Sequence, residues 1–100
     1  MNNFVKMADI TSFYRRFIIT IKNVKVNDSY ATDAEKKASL IYWLEEQKKN
    51  KNYKLHCKYE ILSMIEEVKK CSLAVLEQRI AIFYQNCVVL LDECLQIASC

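Results

Sequence analysis

The chain has 100 residues, of which 52% are hydrophobic and 27% charged, and its formal net charge is +3. It contains no glycine and no proline, although average usage gives about a dozen such residues in this length. Because these residues supply the positive-φ turns and rigid corners of sandwiches and barrels, their absence argues against a many-stranded β fold. The composition predicts one all-α domain over residues 1–100, an elongated antiparallel helical bundle of two to three long helices.

The same composition argues against most enzyme and metal chemistry. Phosphate-binding loops, dinucleotide fingerprints and nucleophile elbows need glycine where the backbone turns sharply or approaches phosphate. His56 is the only histidine, and the cysteines are odd in number with no CxxC pair. They are Cys57, Cys71, Cys87, Cys94 and Cys100. We expect no catalytic, cofactor or metal site, and thiols that act as small apolar side chains in a reducing compartment.

The first half of the chain has apolar residues at steps of three and four, the period of one helix face. The series is Ile10, Phe13, Phe17, Ile21, Val24, Ala31, Ala34, Ala38, Ile41 and Leu44. The β-branched run from Phe17 to Val26 allows a strand, and Asn27, Asp28 and Ser29 could cap a new helix. We favour one helix over residues 4–49, which would be about 70 Å long.

A lysine-rich segment between Gln47 and Lys58 predicts a turn at residues 50–52. Asn50 can supply a left-handed residue in place of glycine, and Asn52 can cap the helix that follows. A second helical segment is predicted over residues 53–98, with Ser72 as a cap for a break near residue 71. An antiparallel hairpin of two helices and a three-helix bundle both remain open.

The last thirty residues are unusually apolar, with 20 of them hydrophobic. The stretch from Ile80 to Leu91 is interrupted by Gln85 and Asn86 and is shorter than the roughly 20 residues of a membrane span. No charged-then-apolar signal segment opens the chain. We therefore expect no membrane insertion, and we expect the first helix, a second copy in a homodimer, or a client protein to cover this segment.

The middle of the chain resembles the start of the second helix of the tubulin-binding cofactor A family. The matching pattern is Asn52, Tyr53, Lys54, Leu55, Lys58, Glu60, Ile61 and Leu62, followed by Leu76 and Glu77 at the family's spacing. Tyr30 and Asp33 match a Tyr-x-x-Glu pattern of the family's first helix, and the resemblance covers about residues 13–87. The chain lacks the family's proline in the second helix and its charged third helix.

This resemblance implies a cytoplasmic, cytoskeleton-associated chaperone that binds β-tubulin after chaperonin release and holds it for heterodimer assembly, without nucleotide or metal. The residues that it marks for protein binding are Tyr30, Asp33, Asn52, Tyr53, Lys58, Glu60, Leu76 and Glu77. Tyr30, Tyr53 and Leu76 are expected to be structural, and Lys58 and Glu60 to contact the client.

Two other classes of binding protein compete with this interpretation. A generic coiled-coil adaptor or scaffold subunit would self-associate or bind a helical partner. A basic helical protein could use the lysines between Lys48 and Lys58 on nucleic acid phosphates. The net charge of +3 is modest and 12 acidic residues are spread through the chain, so we expect no nucleic acid. For the lysines themselves, a solvated turn and a binding surface for an acidic protein such as tubulin both remain open.

Overall fold

The structure is a computed structural model that describes residues 3–27, 32–51 and 53–99. These ranges contain four helices, α1 (Asn3–Asn27), α2 (Asp33–Lys48), α3 (Leu55–Lys70) and α4 (Leu73–Ser99), and no strand. The all-α prediction is confirmed. The prediction of two to three long helices is corrected to four shorter ones.

The predicted single helix over residues 4–49 is wrong, because α2 has its own beginning. Thr32 has extended backbone angles (φ −72°, ψ 163°), and its hydroxyl accepts a hydrogen bond from the backbone N–H of Glu35. The Glu35 side chain reaches back to Thr32 and completes a capping box, which satisfies amides that have no partner within the helix. Ala34 and Ala38, expected to continue the apolar face, are exposed.

The turn between α2 and α3 has no left-handed residue among its described positions, 49–51, 53 and 54. Lys49 ends α2 with right-handed helical angles (φ −79°, ψ −12°), and Lys54 is extended (φ −77°, ψ 167°) before α3. None of the described residues has a positive φ, so the predicted left-handed Asn50 is wrong. Asn52, predicted as a cap, lies outside the described residues.

A second break separates α3 from α4. Cys71 is extended (φ −106°, ψ 153°), and the Ser72 hydroxyl accepts a hydrogen bond from the backbone N–H of Val75 at 3.4 Å. The backbone carbonyl of Ser72 accepts from Leu76 at 2.9 Å. An extended residue followed by a serine cap therefore reverses the chain where glycine would be usual.

The helices pack in an up-down-up-down order in which α1 contacts all three others. The most extensive packing joins α1 to α4 and α2 to α3. Lys25 near the end of α1 pairs with Glu77 near the start of α4, so these two helices are antiparallel. The molecule measures 52 × 26 × 22 Å, shorter than the predicted rod because the chain reverses three times.

One apolar core joins the four helices. Its centre is an aromatic stack, in which Trp43 lies 6.2 Å from Phe13 and 5.8 Å from Phe17 with nearly parallel rings. The buried residues are Ile10, Phe13, Tyr14, Phe17, Ile21, Leu40, Leu44, Cys57, Ile61, Met64, Ile65, Val68, Cys71, Leu73, Leu76 and Ile80. Tyr42, adjacent to Trp43 in sequence, is 69% exposed, because neighbouring helical residues point about 100° apart.

Candidate functional site

The lysines around the α2–α3 turn form a basic surface at one end of the bundle, here called the basic turn. It comprises Lys48, Lys49, Lys51, Lys54 and Lys58. Lys48 pairs with Glu45 at 2.9 Å and Lys49 with Glu46 at 3.8 Å. The hydrogen bond from Lys48 lowers the pKa of Glu45. The other three form no ion pair within the described part of the chain, so most of the positive charge at this end faces solvent.

Tyr53 anchors the basic turn to α1. Its ring meets Phe13 edge-on at 6.4 Å, and the Arg16 guanidinium lies 4.9 Å above the ring centre. Its hydroxyl donates to Gln47 Oε1 at 3.2 Å, and burial raises its pKa. Tyr53 thus packs against Phe13 and Arg16, which places the cationic Arg16 side chain beside the lysines of the turn.

A small polar cleft lies beside this contact. Its volume is about 180 Å³, below the roughly 300 Å³ at which ligand pockets begin. The lining residues are Asp9, Ser12, Arg16, Asn50, Tyr53 and Lys54. The cleft is too small for a drug-sized ligand, so the chemistry available at this end is surface recognition by charge.

Glu60, which the resemblance marks as a client contact, is hydrogen-bonded to Tyr14 within the chain. The Tyr14 hydroxyl donates to Glu60 Oε2 at 2.5 Å across the α1–α3 interface. Burial and the hydrogen bond to this carboxylate both raise the pKa of Tyr14 well above its ordinary value. This hydrogen bond joins α1 to α3 and occupies the Oε2 atom of Glu60.

Of the remaining family-matching residues that the structure describes, Lys58 belongs to the basic turn, whereas Asp33, Leu76 and Glu77 lie away from it. Glu77 pairs with Lys25 at 2.7 Å on the α1–α4 interface, beside an open groove of about 350 Å³. Leu76 is fully buried and Asp33 is exposed in the first turn of α2. Lys58 is half-buried in α3.

The structure thus brings Tyr53 and Lys58 to one end of the bundle and Asp33 and Glu77 to the other. Tyr30 and Asn52 lie outside the described residues. The contacts of Tyr14 with Glu60 and of Arg16 with Tyr53 were not predicted from the sequence. Both depend on how α1 packs against the start of α3 and the turn before it. The sequence contained one signal for the burial of Tyr14: this residue directly follows Phe13 in the apolar period of α1.

The described thiols are embedded in the helix packing. Cys57 and Cys71 are buried and Cys87 is half-buried, all unpaired. Burial, aided by the nearby Asp9 carboxylate, raises the pKa of Cys57 to about 11, and burial also raises that of Cys87. Such thiols are mostly protonated at neutral pH and poor nucleophiles. No three His, Cys, Asp or Glu side chains in the described ranges come together to hold a metal ion.

The apolar C-terminal segment predicted from the sequence forms α4, and the outward side of this helix is also apolar. Leu73–Glu93 spans 21 residues with a mean hydropathy of 1.2, enough by length and composition alone to cross a membrane, and 22% of it is buried. Val75, Ile82 and Val89 are 45%, 59% and 53% exposed. Burial is complete at Leu76 and Ile80 on the opposite side, so the helix has one packed face and one open apolar face.

Comparison with family models, with curated proteins and with solved structures finds no match to this chain.

Proposed function

We propose that the chain is a non-catalytic binding protein that captures an acidic protein through the basic turn. The observation that carries this proposal is a set of three lysines, Lys51, Lys54 and Lys58, grouped at one end of the bundle and flanked by Arg16; none of the three forms an ion pair with another described residue. Clustered like charge raises the local concentration and the association rate of an oppositely charged partner. The adjoining cleft is too small to hold a ligand of ordinary size.

The partner that we propose is β-tubulin, an acidic protein, held in the cytoplasm for heterodimer assembly. Support comes from the resemblance of residues 52–62 and of Leu76 and Glu77 to the tubulin-binding cofactor A family. The all-helical fold is compatible with such a role. Within this proposal Lys58 is the family-matching contact, whereas Glu60 serves the α1–α3 interface through Tyr14.

Gel filtration with light scattering tests the partner. The purified chain is run alone and mixed with β-tubulin released from chaperonin, in buffer without nucleotide. We expect co-elution as a one-to-one complex. A chain that elutes apart from β-tubulin at every mixing ratio contradicts this choice of partner, and if it also self-associates it is better described as an adaptor.

A pair of charge-reversal variants tests the surface. Lys54→Glu combined with Lys58→Glu reverses two charges at the basic turn, and we expect association to slow by about tenfold at low salt. The control, Lys22→Glu combined with Lys70→Glu, makes the same change in net charge at exposed positions. Lys70 ends α3, about 24 Å from the helix start.

Stopped-flow or surface-binding measurements at two ionic strengths separate the outcomes. The proposal requires that the basic-turn variant bind more slowly than the control variant and that added salt reduce the difference. Equal slowing by both pairs indicates a general charge effect and refutes a specific role for the basic turn.

A further inference from the structure

The outward side of α4 carries an ordered stripe, here called the outer face of α4. Val75, Ile82 and Val89 recur every seven residues, which keeps them on one line with a drift of about 20° per repeat. All three are about half exposed. Uncharged Gln78 and Gln85 flank the line on one side.

Two residues of opposite charge accompany this face: Arg79 lies between Val75 and Ile82, and Glu93 lies one turn beyond Val89. Arg79 and Glu93 bracket a stretch whose exposed polar side chains are the amides of Gln85 and Asn86, and Asp92 adjoins Glu93. Arg79, Asn86 and Glu93 also recur every seven residues. They form a second line, displaced by about 40° to 60° from the first on the helical wheel.

A bilayer fits this face poorly even though α4 is long enough to cross one. Leu76 and Ile80 are fully buried in the shared core, so insertion would require α4 to leave its packing against α1. The outer face itself would place the amides of Gln78, Gln85 and Asn86 in hydrocarbon, where they have no partners. A protein surface that offers amide and charged groups is the better match.

The charges select a second copy of this chain in antiparallel orientation. Arg79 lies seven residues before Asn86 and Glu93 lies seven residues after it. When two α4 helices cross antiparallel at Asn86, each Arg79 faces the partner's Glu93, and the two Asn86 amides meet at the twofold axis. An amide both donates and accepts, so it is complementary to itself. A parallel pair would set arginine against arginine and carboxylate against carboxylate.

We propose that the outer face of α4 is a homodimer interface built on this antiparallel pairing. Within its own chain, Arg79 Nη1 donates to Glu67 Oε2 at 3.3 Å and to Cys71 Sγ at 3.4 Å, which leaves the N–H groups on the other guanidinium nitrogens for the partner. From Arg79 to Glu93 the contact is a strip about 21 Å long with few large side chains. It is smaller than the roughly 800 Å² per partner of a standard interface, so the dimer is expected to dissociate on dilution. This interface is independent of the basic turn.

Sedimentation velocity from about 5 to about 300 μM, a range suited to micromolar affinities, tests the pairing through its charges. Arg79→Glu alone and Glu93→Arg alone each create two like-charge contacts per dimer, and we expect the dimer dissociation constant to rise by about tenfold. An equimolar mixture of these two variants restores attraction at both contacts and should form a heterodimer. The doubly reversed chain, Arg79→Glu with Glu93→Arg, should dimerise like the original. Recovery in the double variant is specific to the antiparallel arrangement.

An apolar substitution provides a second, charge-independent test. Ile82→Gln removes the central apolar residue of the outer face from a position already 59% exposed, so the fold should survive while dimerisation weakens. Ile19→Gln, at a 49% exposed position on α1, is the matched control and should leave dimerisation unchanged.

Three results would overturn the proposal. One is a chain that stays monomeric throughout the concentration range. Another is a dimer whose affinity responds to neither the charge reversals nor Ile82→Gln. The third is a monomer that binds phosphatidylcholine vesicles through α4, lost in Ile82→Gln, which would assign the outer face to lipid.

Discussion

The hydrogen bond between Tyr14 and Glu60 should stabilise the bundle by a measurable amount. Tyr14 is 5% exposed, and its hydroxyl lies 2.5 Å from the acceptor oxygen of a half-buried Glu60. Tyr14→Phe removes the hydroxyl and keeps the ring contacts with Phe13 and Phe83. Hydrogen bonds to charged groups contribute about 1.5–3 kcal/mol net. Because solvent still reaches Glu60, we expect a loss near the lower end, about 1.5 kcal/mol.

For a chain of this length, a loss of about 1.5 kcal/mol corresponds to a fall in Tm of about 6–12 °C. Thermal unfolding followed by circular dichroism at pH 7 measures it directly. Tyr42→Phe is the matched control, since Tyr42 is 69% exposed and should tolerate the same change. A double-mutant cycle with Glu60→Gln should give a coupling of about 1 kcal/mol. This contribution of the hydrogen bond is refuted if Tyr14→Phe lowers the Tm no more than Tyr42→Phe does. It is also refuted if the stability losses of Tyr14→Phe and Glu60→Gln simply add in the double mutant.

Other predictions concern the core, the cap of α2 and alkaline pH. Phe17→Ala, at a fully buried position, should cost about 3–5 kcal/mol in urea unfolding; an equal loss for the half-exposed Ile19→Ala would contradict the assigned core. Thr32→Ala removes the capping hydroxyl and should cost about 1 kcal/mol; unchanged stability would show that the capping box contributes little. Stability should decline as pH rises from about 9 towards 11, because the unfolded state releases the Cys57 proton at lower pH than the folded state, whose pKa is about 11. Tyr14 acts in the same direction. Urea midpoints at several alkaline pH values should show a shallower decline for Cys57→Ala, and identical slopes would refute this assignment.

The helical class was predictable because composition alone limits the turns that the chain can make. The break before α2 was readable in principle, since Thr32 and Glu35 stand at the spacing of a capping box. It was missed because the alanines at 34 and 38 continue the apolar period of α1. The apolar period was given more weight than the capping-box spacing. In the structure both alanines are exposed.

The apolar period identified most of the core and failed where a helix carries apolar residues on two faces. Leu55 and Leu62 are large apolar residues of the predicted second helical segment, yet they are 64% and 45% exposed. Their neighbours Cys57 and Ile61 occupy the core instead. Periodicity fixes which residues share a face, whereas the choice between faces depends on where the other helices lie.

The candidate site was less accessible to sequence reasoning than the fold. The lysines of the basic turn could be read directly from the chain, but which of them form ion pairs depends on the folded structure: Lys48 and Lys49 pair with Glu45 and Glu46. In the sequence, Glu60 and Glu77 look like unpaired surface charges. In the structure, each has a partner across a helix interface: Tyr14 for Glu60 and Lys25 for Glu77. Such pairings join residues distant in sequence, so local patterns cannot reveal them.

The extensive packing of α1 against α4 has a consequence for synthesis on the ribosome. The first helix emerges early, but the helix that covers much of its apolar stripe is made last. During translation at about 5–20 residues per second, Phe13 and Phe17 can contact α2 while the side of α1 that faces α4 stays bare. The nascent chain therefore passes through an interval of several seconds in which early-made hydrophobic surface of α1 is exposed, and this interval lasts until α4 has been synthesised.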